Sequence, residues 1–161
     1  MARSTPTDVA DQMIADATRG VVRLSRQVEL TLGEFQLSVS QFRLLDRLSG
    51  GSAAGRNLAE WLAVKPPSIT ALVDGLVARG LVDRTSDTSD RRRVTHELTS
   101  DGRSLHATVS SALAARLQQL LAFVGDDARA IEMIAALVDW NRVIDQARDA
   151  KRAILDAARP S

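Results

Sequence analysis

The sequence predicts a mainly α-helical fold with one small β hairpin in its middle and long helices at both ends. Three observations predict it. Apolar residues recur at steps of three and four over both terminal segments, the signature of helices with one buried stripe. Between them, KPPSITALVDGLVARG reads as a short amphipathic helix opened by two prolines. Directly after it, two β-prone runs, LVDR and RVTHEL, flank a polar tip, TSDTSDRR, that ends in arginines. A small helix followed by a basic hairpin is the layout of a winged helix-turn-helix.

The first helix is expected over residues 8–32, where Val9, Met13, Ala17, Val21, Leu24, Val28 and Leu32 form one stripe, with Gly33 ending it. Ser40 is a candidate cap for a second helix carrying Phe42, Leu45 and Leu48, stopped by Gly50 and Gly51. A third, short helix is expected over 57–62, holding Leu58, Ala59 and Leu62, followed by the sharp turn AVKPP. The fourth helix, 66–78, is the clearest. Ile69, Leu72, Val73, Leu76 and Val77 lie on one side, and proline is tolerated in a first turn whose N–H groups have no intrahelical partner. Gly80 suits the left-handed position just past its end. At about 100° per residue, the opposite face presents Pro67, Ala71, Asp74, Gly75 and Ala78, flanked by Ser68 and Thr70. After the hairpin, Thr99 reads as the N-cap of a fifth helix reaching about residue 124, and Gly125 breaks it. Asp126 then caps a last helix bearing Ile131, Ile134, Leu137, Val138, Ile144 and Leu155.

Composition narrows the chemistry. The chain has 161 residues, enough for one ordinary domain with a core, and no cysteine, which excludes disulfides, thiolate metal sites and thiol redox sensing. The net charge of +1 gives no global attraction to nucleic acid. A local patch suffices, because screening confines charge effects to about 8–10 Å. Between positions 84 and 93 stand Arg84, Arg91, Arg92 and Arg93 against Asp87 and Asp90. No run approaches the ~18 uninterrupted apolar residues of a membrane helix. The start of the chain lacks a basic stretch followed by an apolar one, so a cytoplasmic location without membrane partners is expected. His96 alternates with Val94 and Leu98 on one strand face and reads as a partly buried strand histidine. His106 has Ser110, not a ligand, four residues on. Two histidines and scattered acids fall short of a metal site, and no paired carboxylates, Ser/His/Asp set or glycine-rich phosphate loop appears. The expectation is no metal, no cofactor and no enzyme. Trp61 and Trp140 read as core or interface anchors.

The phrases LAEWLAV, PPSITALVDGLVARGLVDR and DTSDRRRVTHELTSDG, read in order, resemble the MarR family of bacterial transcription regulators. The run GLVxR, then DxxDRR, then LTxxG is the specific part, and the resemblance covers the central half of the chain closely. It implies one MarR-like domain over 1–161: a winged module over 40–103, with dimerisation helices over 8–32 and 104–158. It further implies a homodimer on double-stranded DNA, with the fourth helix in the major groove and the wing in the adjacent minor groove. Asp90 and Arg92 fall on the family's wing aspartate and arginine, where the acid orients the base. The expected DNA contacts are therefore Lys65, Pro67, Ser68, Thr70, Ala71, Asp90, Arg91, Arg92 and Arg93. The family often carries arginine near positions 71 and 75, where this chain has Ala71 and Gly75. Thr70 and Ala71 can instead pack on thymine methyls, and Ser68 can bond a base or phosphate. Asp74 would repel phosphate unless it is paired or accepts from cytosine N4. A small aromatic or anionic effector in the cleft between dimer helices and winged module would draw on Arg23, Phe35, Phe42, Trp61 and Trp140.

The apolar stripes of the end helices exceed what the central module can cover, and a second copy of the chain is the simplest cover. The reading is a dimeric, sequence-specific DNA-binding regulator, a repressor on a pseudo-palindromic operator relieved by a small ligand. The alternative is a winged-helix module for protein–protein assembly without sequence-specific DNA binding, motivated by the weak base-reading chemistry of the fourth helix.

Overall fold

The computed structural model describes residues 6–86 and 94–157. Along the chain run α1 (Pro6–Glu34), α2 (Val39–Ser49), β1 (Ala53–Ala54), α3 (Gly55–Leu62), α4 (Pro66–Ala78), β2 (Val82–Ser86), β3 (Val94–Leu98), α5 (Ser100–Leu121), a 3-10 turn (Ala122–Val124) and α6 (Asp127–Ala157). The expected helical fold with a small β wing is present. The chain separates into two compact units, Met1–Arg116 and Leu117–Ser161.

In the first unit the core runs from Leu32 to Val109. Leu32, Leu44, Leu45, Leu58, Leu76, Val82 and Val109 are its fully buried members. Phe35, Phe42, Trp61, Leu72 and Val77 pack against it while staying partly open. The sheet has three strands, not the two expected: β1 adds to the outer side of β3, pairing Ala53 with His96 and Ala54 with Thr95. Two alanines carry no strand pattern, so this edge could not be read from the sequence. β2 and β3 pair antiparallel from Val82↔Leu98 to Ser86↔Val94, which sets Arg84 opposite His96.

Several helix ends differ from expectation. α1 does not stop at Gly33. Its left-handed terminal residue is Gln36 (φ 55°), with the Gln36 and Leu37 amides bonding back to Gly33 O and Leu32 O, both at 3.0 Å. Leu32 and Leu37 are both buried there, and this apolar pair brackets the turn and favours ending the helix where Leu37 can reach the core. The cap of α2 is Ser38 rather than Ser40: Ser38 Oγ accepts from Gln41 N (3.2 Å) while Gln41 Oε1 accepts from Ser38 N (2.9 Å), a reciprocal pair that Ser40 cannot form. α3 begins at Gly55, two residues early. α4 has the expected bounds, and Gly80 (φ 67°) closes it with its amide on Val77 O and that of Leu81 on Leu76 O. Thr99 caps α5 as expected, Oγ1 accepting from Gly102 N at 2.9 Å. The same hydroxyl donates to Gly80 O (2.7 Å), and the Thr99 amide donates to Leu81 O (3.2 Å), so one residue closes the base of the hairpin.

Gly102 explains the glycine of the LTxxG run. A Cβ there would lie 2.0 Å from the Leu81 carbonyl oxygen, so the start of α5 reaches the hairpin base only without a side chain.

In the second unit, Gly125 (φ 70°) ends the 3-10 turn and Asp126 Oδ1 accepts from Arg129 N (3.1 Å), the expected break and cap. α6 exposes Ile131, Trp140, Ile144 and Ile154. In the first unit, α1 likewise exposes Val9, Met13, Ile14, Val21 and Val22. Segment Ser100–Val124 is long and apolar enough to cross a membrane by length and composition alone. Within it Gly102 and Val109 are buried, Val109 in the core of the first unit, and Leu105 and Leu113 pack against that core.

Candidate nucleic-acid interface

The site is built on α3, its turn and α4. The turn is tight because Ala63 adopts a left-handed conformation (φ 55°), an uncommon one for a residue with a Cβ, which lets the Val64 amide reach back to Ala59 O at 3.1 Å. Lys65 occupies the N-cap position, extended and exposed. Its carbonyl accepts from Ser68 N (2.9 Å) and Ile69 N (3.2 Å). Pro66 and Pro67 have no amide hydrogen, so the first turn of α4 offers few free N–H groups to a phosphate. Positive charge at this end comes from the Lys65 ammonium.

α4 buries Ile69, Val73 and Leu76 and packs Leu72 and Val77 against the core. The opposite face is open: Pro67, Ser68, Thr70, Ala71, Asp74 and Ala78 are exposed. Gly75 is half-buried. A Cβ there would meet Gln41 Nε2 at 3.6 Å, an ordinary contact, so the position sits beside α2 rather than at the centre of the open face. Asp74 is paired: its carboxylate receives the Arg84 guanidinium from β2. The sequence counted Arg84 among the hairpin cations and left the pairing of Asp74 open. Ten residues separate the two, no periodicity joins them, and only the turn at Gly80 brings them together.

An open cleft of about 310 Å³ lies between α4 and the sheet, lined by Ile69, Thr70, Val73, Arg84, Val94, His96 and Gly55. His96 is buried, as its alternation suggested, and its Nδ1 lies 3.4 Å from Ala53 O. A carbonyl only accepts, so Nδ1 carries the proton of the neutral ring. Burial holds the imidazole pKa below its usual value. The bond to Ala53 works against this, Arg84 reinforces it, and Asp74 offsets Arg84.

Asp90, Arg91, Arg92 and Arg93 lie outside the described residues. The paired strands that lead to them, Val82–Ser86 and Val94–Leu98, are in place.

The five candidate ligand residues are distributed as follows. Arg23 is exposed on α1 and Phe35 packs on the core. Phe42 stacks on His106 (centroids 5.6 Å apart, 17° between planes), and the Arg43 guanidinium lies 5.3 Å over Trp61. Trp140 is exposed in the second unit. His106 also has the acidic partner that its own helix lacks: Nε2 is 3.1 Å from Asp46 Oδ1 on α2. Among the described residues no group of acids and histidines could hold a metal ion. Arg79 is another residue the sequence did not single out. It donates to Gln36 O (2.8 Å) and Phe35 O (3.1 Å), tying the end of α4 to the end of α1.

Comparison with known proteins agrees with this geometry. The MarR family model matches residues 37–94, the stretch from the end of α1 to the start of β3. The HTH-type transcriptional regulator Mb0904 of Mycobacterium bovis is 30% identical over 134 residues, covering 80% of this chain and 94% of that one. The HTH-type transcriptional regulator YhbI of Bacillus subtilis is 31% identical over 96 residues, 58% of this chain and 62% of that relative's length. Among solved structures, the transcriptional repressor CouR, bound to a 23-mer DNA duplex, superposes with a TM-score of 0.65 at 26% identity, covering 85% of this chain and 99% of that one. The chain belongs to the MarR family of DNA-binding HTH-type transcriptional regulators, which are not enzymes.

Proposed function

We propose that this regulator is a cytoplasmic homodimeric repressor that binds a two-fold symmetric operator, α4 in the major groove and the wing in the minor groove. The observation that carries the reading is the α4 surface: a rigid helix, fixed on one side by Ile69, Val73 and Leu76, holds Ser68, Thr70 and Ala71 open beside Lys65 and next to the hairpin. Lys65 supplies phosphate contact, Pro67 and Ala71 allow close approach, and Ser68 and Thr70 meet base edges or phosphate. On the wing, Arg92 enters the minor groove oriented by Asp90, with Arg91 and Arg93 on neighbouring phosphates. Repression has its support in CouR, a repressor bound to duplex DNA.

The dimer reading rests on the exposed apolar side chains of α1 and α6, which a second copy would cover over more than ~2,000 Å². A single domain over 1–161, with the winged module at 40–103 and dimerisation helices at 8–32 and 104–158, follows from the same reading. A small aromatic or anionic effector would draw on Arg23, Phe35, Phe42 and Trp61 in the first unit, competing with His106 and Arg43 for the rings of Phe42 and Trp61; Trp140, the fifth residue of that expectation, belongs to the second unit.

The test is binding to random duplex DNA and to duplexes selected from a random pool, at several salt concentrations. The reading predicts a steep loss of affinity with salt and selected sites with inverted half-sites about 10 base pairs apart. Binding that ignores salt, or selected sites without an inverted partner, would contradict it. Asp90→Ala is a sharper probe, because it should weaken binding although it removes a negative charge.

A further inference from the structure

The pairing of Asp74 with Arg84 has a place in the fold that ordinary surface ion pairs lack. α4 and the sheet are joined at one end by the turn at Gly80, where Leu76 and Leu81 are buried. Farther along, the cleft of about 310 Å³ opens between Ile69 and Val73 on the helix and Val94 and His96 on β3. Close-packed side chains resist displacement, and an open cleft does not. α4 is itself pinned on the core by Ile69, Val73 and Leu76, so the freedom that the cleft leaves on this side belongs to the sheet, whose tilt against the helix packing sets only loosely. Arg84 lines the cleft and reaches Asp74, two turns before the Gly80 turn, so the ion pair spans from the sheet to the helix.

Resting on the DNA-reading function proposed above, we propose that Asp74 is a positioning residue: through Arg84 it sets the angle between the groove-reading helix and the wing, and it holds one arginine away from DNA. It touches no base. The side chains are 53% and 41% exposed, so the pair adds little to stability, and its effect falls on recognition. A bound duplex must be met by helix and wing together. If their angle is loose, contact with any phosphate backbone survives while register on the correct sequence suffers. Releasing Arg84 would add a cation to the binding face, strengthening binding to every duplex alike.

The experiment compares the wild-type protein, Asp74→Asn, Arg84→Gln and the exchanged pair Asp74→Arg with Arg84→Asp. Each is titrated with a duplex selected by the wild type and with a random duplex of equal length, over a range of salt. For Asp74→Asn the expected result is about a tenfold fall in the ratio of specific to random affinity, with the log–log salt slope steeper by about one. The melting temperature should stay nearly unchanged. The exchanged pair should recover most of the ratio. Proton NMR titration of His96 reports the pair without DNA. Arg84→Gln should raise the His96 pKa, because Arg84 helps hold it down, and Asp74→Asn should lower it, because Asp74 works the other way.

An unchanged ratio in Asp74→Asn would overturn the proposal. So would a loss confined to one C·G position that the exchange does not restore, since that marks a base-reading acid. A wild type without salt-dependent DNA binding would instead remove the DNA reading itself, and this proposal with it.

Discussion

From Leu32 to Val109 the chain buries its apolar side chains in one cluster, whereas Met13, Ile14 and Val21 on α1 and Ile131, Trp140 and Ile144 on α6 face solvent. Both regions carry apolar residues at helical spacing. The difference lies in what each has to pack on. α2, α3, α4 and the sheet are short elements joined by tight turns, so each finds a neighbour nearby in sequence. Over the N-terminal half of α1 and all of α6, long apolar faces stay open among the described residues. The centre thus supplies its own stability, while the ends hold apolar surface that only further burial can make useful.

Gly102→Ala separates the two regions most strongly. Its Cβ would collide with the Leu81 carbonyl, backbone that cannot rotate aside. The expected loss is about 3 kcal/mol, a fall in melting temperature on the order of 10 °C by calorimetry, arising in the centre of the chain. Leu137→Glu acts on the other region. It should leave the central fold intact by circular dichroism and weaken self-association about 30-fold, or ~2 kcal/mol, by sedimentation. An unaltered dissociation constant would mean that this part of α6 lies outside the interface. Thr99→Val removes both the cap of α5 and the bond to Gly80 O, and should cost about 1–2 kcal/mol in urea unfolding.

Acid should also strike the centre. His96 is held neutral in the fold, with its pKa below the ordinary ~6.5. The stability tied to this group is complete above pH ~6.5 and is lost as the pH falls from there through the lowered value, because protonation is then easier in the unfolded chain. Urea midpoints measured between pH 8 and pH 5 should decline in wild type and decline less in His96→Phe. The smallest effect is expected at Ala63. Ala63→Gly relieves a left-handed alanine but frees the unfolded chain, and the net change should be a gain of about 0.5 kcal/mol.

Much of this contrast is legible in the sequence. The α4 stripe, the Gly80 turn and the Thr99 cap follow from local chemistry, and the structure has them where the residues suggested. Errors came where a neighbour distant in sequence decides. The end of α1 is set by burial of Leu37, not by the glycine at 33, and β1 exists because β3 offers an open edge to two alanines. The partners Asp74–Arg84, His106–Asp46 and Arg79–Gln36 obey no spacing rule, since folded loops bring them together. On the candidate DNA surface, the sequence indicated which α4 residues face outward. It could not show that Asp74 is already paired or that Gly75 sits beside Gln41. The arginine-bearing tip, Arg91–Arg93 with Asp90, rests on the residues themselves and on the strands that lead to it.

The central claim, a chain whose middle reads DNA and whose ends require a second copy, is tested most directly by sedimentation equilibrium at micromolar concentration, alone and with a duplex selected from a random pool. The account predicts a particle of twice the 17.4 kDa chain mass, and two chains per duplex. A folded 17.4 kDa monomer, or one chain bound per duplex, would contradict it.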